Sequence, residues 1–240
     1  MSLVLVAHGT RKQRGVAMVG DLAQRVSATL GQTVHVSFVD VLGPTPSEVL
    51  APMAGSTIMV PAFLSRGYHV TTDIPAHVAA SGHPDVTVTE ALGPGPQLVR
   101  VLADRLVESG WHRDDSVILA AAGTSDPTAQ RDLHMMATWL SAITGSRVEL
   151  AFAATGTPRV ADAVAALRRR QRGRVVVASY LLSEGLFQDR LRASGADVVT
   201  EPLGMHPGLV RLIANRFSRA HYSVEGSRSM GYPHRPVPMR

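Results

Sequence analysis

The chain repeats itself, and the repeat leaves little freedom for its fold. Val4-Leu5-Val6-Ala7-His8-Gly9-Thr10 is matched by Ile118-Leu119-Ala120-Ala121-Ala122-Gly123-Thr124, and Phe38 with Pro44 by Phe152 with Pro158. Leu64-Ser65-Arg66-Gly67 is matched by Leu182-Ser183-Glu184-Gly185. Leu92-Gly93-x-x-Pro96-x-Leu98-Val99-Arg100 faces Leu203-Gly204-x-x-Pro207-x-Leu209-Val210-Arg211, and each is followed by Ala-x-Arg at Ala103 and Ala214. A generic periodicity would repeat apolar positions but not Gly and Pro at fixed places, so these matches, in one order at nearly constant offset, mark a duplication. A length of 240 residues suits two small lobes. The expected division is 1–112 and 113–221, with the boundary inside 110–115. Residues 222–240, rich in Ser, Gly, Pro and Arg without periodicity, are expected to form a mobile tail.

Within each copy, short β-branched runs alternate with longer amphipathic segments. Strands are predicted at 3–7, 34–39, 57–63 and 86–90, then at 116–121, 148–153, 174–179 and 198–201. Helices are predicted at 15–30, 46–54, 73–81 and 96–109, then at 127–144, 158–172, 184–194 and 207–219. Such alternation implies an α/β fold in which each lobe is a parallel four-stranded sheet with helices on both faces. The near-continuous apolar strands (LVLVA, VILAA, RVVVAS) fit strands covered on both sides.

Composition then excludes chemistry. With no cysteine, the chain has no disulfide, no thiol nucleophile and no Cys-bound zinc or iron–sulfur cluster. A metal would have to sit on His, carboxylate or main-chain oxygen. No apolar run is long enough for a membrane-spanning helix, and the first residues lack a basic region before a hydrophobic stretch, so a cytoplasmic location is expected. The basic residues are 23 Arg and one Lys, Lys12, and the formal charge is +5. With aromatics at only 5% and the charges dispersed, this does not read as a nucleic-acid surface. No phosphate-binding GxxxxGK[ST] loop, dinucleotide GxGxxG fingerprint, GxSxG elbow or HExxH motif is present.

Where the copies differ, chemistry is the expected reason. His8 is replaced by Ala122, His69 falls opposite Phe187, and Asp40 falls opposite Ala154. Each of the three polar residues follows a predicted strand of the first lobe. In open parallel sheets the crevice beyond the carboxyl ends of the strands is where ligands bind. Two imidazoles and a carboxylate converging there would suit a divalent ion such as Fe²⁺, Co²⁺, Ni²⁺ or Zn²⁺. Asp40, next to a turn, also has an ordinary local reading.

The opening VLVAHGTRK, the stretch Pro61-Ala62-Phe63-Leu64-Ser65-Arg66-Gly67-Tyr68-His69-Val70 running into Asp73-Ile74-Pro75, and the Leu-Gly-x-x-Pro element of both halves together resemble the sirohydrochlorin chelatases. These class II tetrapyrrole chelatases insert cobalt or iron into sirohydrochlorin for cobalamin or siroheme synthesis. The resemblance spans about residues 3–219, including the two-lobed form, and implies an active site in the cleft between the lobes. It makes His8 and His69 the catalytic histidines, and His8, His69 and Asp40 the metal set. The family often carries Glu at the last position, so the shorter Asp40 would reach the metal through water. Neutral imidazole can hold a metal or accept a pyrrole proton. Arg11, Lys12, Arg14 and Arg66 are candidates to pair with the acid side chains of this polycarboxylate macrocycle. The run from Arg168 to Arg174 reads instead as a favoured cationic helix end. No organic cofactor is implied; the divalent metal is substrate, and a monomer would suffice. The competing readings are a tetrapyrrole or metal carrier on the same scaffold, and a chelatase for another tetrapyrrole.

Overall fold

The computed structural model describes residues 1–170 and 173–229. Arg172, where the predicted 158–172 helix ends, and positions 230–240 of the expected tail lie outside the described residues. The first copy runs β1 (Ser2–Ala7), α1 (Gln13–Leu30), β2 (Val34–Phe38), α2 (Pro46–Leu50), β3 (Thr57–Pro61), α3 (Ile74–Ser81), β4 (Val86–Val88) and α4 (Pro96–Glu108). The second runs β5 (Ser116–Gly123), α5 (Pro127–Thr144), β6 (Val148–Thr155), α6 (Val160–Arg170), β7 (Val175–Tyr180), α7 (Leu186–Arg192), β8 (Val198–Val199) and α8 (Pro207–Ser229). The strands pair in parallel as two four-stranded sheets, β2-β1-β3-β4 and β6-β5-β7-β8. The order is the same in both, as a duplication requires.

Alternation along the strands divides the core into layers. In β1, Leu3 and Leu5 point to one face and Val4 and Val6 to the other, and all four are buried. Val4 and Val6 pack with Leu50 of α2 and Ile74 of α3 on the outer face of the first sheet. In β5, Ile118 and Ala120 do the same beneath Val164 of α6 and Leu191 of α7. Leu5 and Leu119, facing the opposite way, enter one shared core with α1, α4, α5 and α8. Four helices therefore form a layer between the two sheets.

The same sequence positions build that layer from each side. Val19, Leu22, Ala23 and Val26 of α1 are buried at helical spacing, and their copies Leu133, Met136, Ala137 and Leu140 are buried on α5. Leu98, Leu102 and Leu106 of α4 correspond likewise to Leu209, Ile213 and Phe217 of α8. Helix α1 packs on α8, α4 on α5, and α4 on α8. Exchanging the copies turns the first pair into the second and returns the third to itself. The arrangement is that of an isologous dimer interface contained within one chain.

The repeated Leu-Gly element has a steric cause. A Cβ on Gly93 would lie 2.2 Å from the Leu64 carbonyl oxygen and 2.7 Å from the Tyr180 hydroxyl; a Cβ on Gly204 would lie 2.6 Å from the Leu182 carbonyl oxygen. In the first case the Tyr180 hydroxyl reaches across the lobes and donates to Leu64 O at 2.7 Å. Only glycine lets the loop before α4 approach the loop after β3 so closely.

Some boundaries differ from the sequence expectation. Helix α2 stops at Leu50 rather than 54, because Pro52 has no N–H to continue the ladder. Helix α8 passes 219 and reaches Ser229, through the first part of the expected tail. No proline interrupts it, and His221 faces Glu225 one turn on, at 3.2 Å. No helix among the described residues is long and apolar enough to cross a membrane.

Gly93→Ala is expected to destabilise by about 1–3 kcal/mol or more, since both blocking groups are held by packing. Gly20→Ala, at a helix-interior site with nothing within 4 Å, should instead gain up to about 1 kcal/mol. Thermal or urea unfolding of the two variants checks the contrast.

Candidate functional site

His8 and Asp40 leave the sheet side by side. Backbone N–H groups of Val39 and Asp40 donate to the carbonyls of Ala7 and His8 at 3.0 Å, carrying the β1–β2 pairing past the strand ends. The approach depends on Gly9, whose φ is +100° and whose Cβ would lie 2.2 Å from the Asp40 carbonyl oxygen. Beyond it, Val41 adopts a φ of 72°, which is costly for a β-branched residue and marks a backbone held by its surroundings. The Val41 N–H donates to Asp40 Oδ1 at 2.7 Å.

His69 arrives from the adjacent strand. After β3 the chain passes through Phe63 to a single wide π-type turn, His69–Asp73, in which the Ile74 N–H reaches back to the His69 carbonyl. Such turns recur at functional sites. The turn places Asp73 one step above His69, and Asp73 Oδ2 lies 2.5 Å from His69 Nδ1.

These two loops bring the imidazoles together. The rings of His8 and His69 stand 4.6 Å apart, centroid to centroid, with their planes at 87°. Phe63 lies 6.5 Å from His8 and 6.0 Å from His69, and the exposed Tyr68 lies 6.1 Å from His69. His8 Nδ1 is 3.3 Å from the Gly9 carbonyl oxygen. Partial burial pushes the His8 pKa below its ordinary 6.5, and the neighbouring His69 lowers it further. The Gly9 carbonyl, Asp40 and Asp73 pull the other way without reversing the shift. His8 is thus a neutral imidazole near pH 7, able to take a proton or offer a lone pair.

The expected set of His8, His69 and Asp40 is brought together only in part. Among the described residues no three His, Asp or Glu side chains form a ready-made metal group. Asp40 acts on His8 through its charge, while its Oδ1 serves its own turn. The residue that does join the pair is Asp73. It lies in the sequence motif but receives no role there, and its spacing of four from His69 was the available signal.

The four candidate cations are not equivalent. Arg66 is tied across the lobes to Asp132 of α5, whose carboxylate is 1% exposed: its backbone N–H and Nε donate to Oδ2 at 2.9 and 3.1 Å, and Nη2 to Oδ1 at 2.6 Å. Arg66, a candidate to pair with ligand carboxylates, thus clamps the junction, because a buried carboxylate requires a paired cation, while its side chain remains 56% exposed. Lys12 Nζ pairs with Asp189, and Arg14 Nη2 lies 3.5 Å from Asp189 Oδ1 and 4.0 Å from Glu184 Oε2. Glu184 is itself held by Arg192 at 2.7 and 2.8 Å, which keeps its carboxyl below the usual range. Arg11 is exposed and has no ion pair among the described residues.

Lys12 caps α1 with no side-chain hydrogen bond, whereas its copy, Asp126, caps α5 by accepting from the Thr128 and Ala129 N–H groups. A cation at that position gives up a cap worth about 1 kcal/mol, which points to a use other than folding. The second lobe touches this segment directly. Cβ atoms on Gly15 and Gly185 would lie 2.2 Å from the Glu184 carbonyl oxygen and 3.2 Å from Thr10 Oγ1. A separate hollow of about 240 Å³ between the lobes is lined by Arg66, Gly93, Met135, Trp139 and Arg216, and neither imidazole borders it.

An NMR titration should find His8 ionising below 6.5, and moving upward in His69→Gln, where the neighbouring ring that lowers it is gone. An unchanged value in the variant would show that the rings do not interact.

A model of the CbiX family matches residues 2–109 and 116–220. The chain is 24% identical over 235 residues to a sirohydrochlorin ferrochelatase of Priestia megaterium, covering 90% of this chain and 88% of that protein. It is 26% identical over 206 residues to a sirohydrochlorin cobaltochelatase of the same organism, covering 79% and 67%. Among solved structures, SirB from Bacillus subtilis with Fe³⁺ superposes with a TM-score of 0.81 over 94% of this chain and 97% of that one, at 19% identity, a likeness of fold. With both lobes inside the family match, the chain belongs to the CbiX family.

Proposed function

We propose that this protein inserts divalent iron or cobalt into sirohydrochlorin. The observation that carries this reading is the pair of imidazoles 4.6 Å apart at the carboxyl ends of neighbouring strands, in a member of this family. Insertion exchanges two pyrrole N–H bonds for bonds to the metal and releases two protons, with no change in oxidation state. The chain must therefore present the metal weakly and remove protons. Nitrogen ligands without thiolate suit transfer rather than storage. His8, neutral near pH 7, serves as a proton acceptor or ligand, and His69 shares the metal with it. Asp40 assists through its charge or through bound water.

The macrocycle is placed over the imidazole pair, with the 184–189 segment of the second lobe as the facing wall. Exposed Val41, Tyr68, Leu186 and Phe187 supply apolar surface for a flat ring. Arg11 offers a free cation for its carboxylates. Lys12 and Arg14, at 44% and 65% side-chain exposure, form solvent-screened pairs that ligand carboxylates can displace. The two lobes of one chain supply both walls of this site, so a monomer suffices in this reading.

Anaerobic insertion kinetics with Fe²⁺ and Co²⁺ side by side test the reading, since one relative is a ferrochelatase and another a cobaltochelatase. His8→Ala and His69→Ala should each slow insertion by about 100-fold or more. Wild-type rates in both variants would remove the histidines from the chemistry. Tight macrocycle binding without acceleration would make the protein a carrier.

A further inference from the structure

We infer that Asp73 is a positioning residue that holds His69 in the Nδ1–H tautomer and so reserves the Nε2 lone pair for the metal. The inference rests on the chelatase reading above and deepens it. A neutral imidazole has one N–H and one lone pair, and an ionised carboxylate only accepts. With Asp73 Oδ2 2.5 Å from His69 Nδ1, the proton belongs on Nδ1; the other tautomer would set two lone pairs against each other. The Gly9 carbonyl makes the same choice for His8 Nδ1, at 3.3 Å. Both rings of the pair thus have Nδ1 committed to an acceptor and Nε2 left open. A histidine that binds metal commonly donates its other N–H to a carboxylate, which fixes the ring and raises its basicity.

The duplication supports this assignment independently. Gly67 matches Gly185 and His69 matches Phe187, so the same register sets Asp73 opposite Leu191. Leu191 is fully buried in the outer core of the second lobe. Where the imidazole is lost, the carboxylate four residues on is lost with it, and the position reverts to packing. Asp73, in contrast, is one-quarter exposed and contributes no apolar surface. The wide turn presents it to His69, while Ile74 beside it, with none of its surface exposed, anchors the segment in the core beneath.

The test uses the full chain with ¹⁵N-labelled histidine. In the wild type, His69 should show one tautomer, protonated at Nδ1; in Asp73→Ala it should become a mixture or favour the Nε2–H form. Co²⁺ titration of the metal-free proteins, followed by visible absorption, should show affinity weakened about 10–100-fold. Insertion should lose kcat by a similar factor while KM for sirohydrochlorin stays unchanged. Asp73→Glu, which keeps the acceptor, should restore part of each. If Asp73→Ala does not fold, Asp73→Asn keeps the shape with a weaker acceptor and should give an intermediate loss. An unaltered His69 tautomer and unaltered Co²⁺ affinity in these variants would overturn the inference. A wild type that never accelerates insertion, yet shows the tautomer change, would overturn the chelatase reading and leave the Asp73–His69 coupling standing.

Discussion

Everything in this molecule depends on the helix layer that both sheets share. Each copy alone would leave α1 and α4, or α5 and α8, with an apolar stripe facing water. Leu22, Leu98 and Leu102 are buried because Met136, Leu209 and Ile213 arrive from the other side. A fully buried leucine stabilises by about 1.5–3 kcal/mol relative to exposure, so this layer outweighs the polar contacts at its rim. It also fixes the lobes relative to one another. The loops after β1 and β3 are therefore held against the loop after β7, and the site residues inherit that geometry.

Because the apolar frame is symmetric, the polar decoration can diverge. The first lobe carries His8, His69 and Asp73 where the second carries Ala122, Phe187 and Leu191. At the junction, Arg66 of one lobe reaches Asp132 of the other, while its copy, Glu184, accepts from Arg192 of its own lobe and faces Arg14 at 4.0 Å. Charge complementarity has been built twice from related positions with opposite signs. In the proposed reading, one copy holds the reacting groups and the other supplies a wall and counter-charges.

The duplication, the alternation of strands with helices and the parallel four-stranded sheets were legible in the sequence because backbone periodicity and close packing are local demands, whereas the strand order β2-β1-β3-β4 was not. Gly93 and Gly204 repeat because two carbonyl oxygens stand where a Cβ would go. His8 and His69 were legible as departures from that repeat. What escaped were matters of partner choice in three dimensions. Arg66 looks like any loop cation until Asp132, far along the chain, is seen beneath it. Asp73 looks like a helix-start residue until the wide turn carries it onto His69. Asp40 follows β2 beside His8, yet its carboxylate is drawn to the Val41 N–H, a contact that no spacing rule specifies. The end of α8 escaped for another reason, since Ser, Gly and Arg do not break a helix when no proline intervenes.

The central claim is that metal is handled by the two imidazoles of the first lobe alone. Anomalous scattering from crystals of the protein loaded with Co²⁺ addresses it directly. The account predicts a peak within coordinating distance of Nε2 of both His8 and His69, with none in the second lobe near Ala122 and Phe187. A cobalt ion bound elsewhere, with the imidazole pair empty, would contradict it.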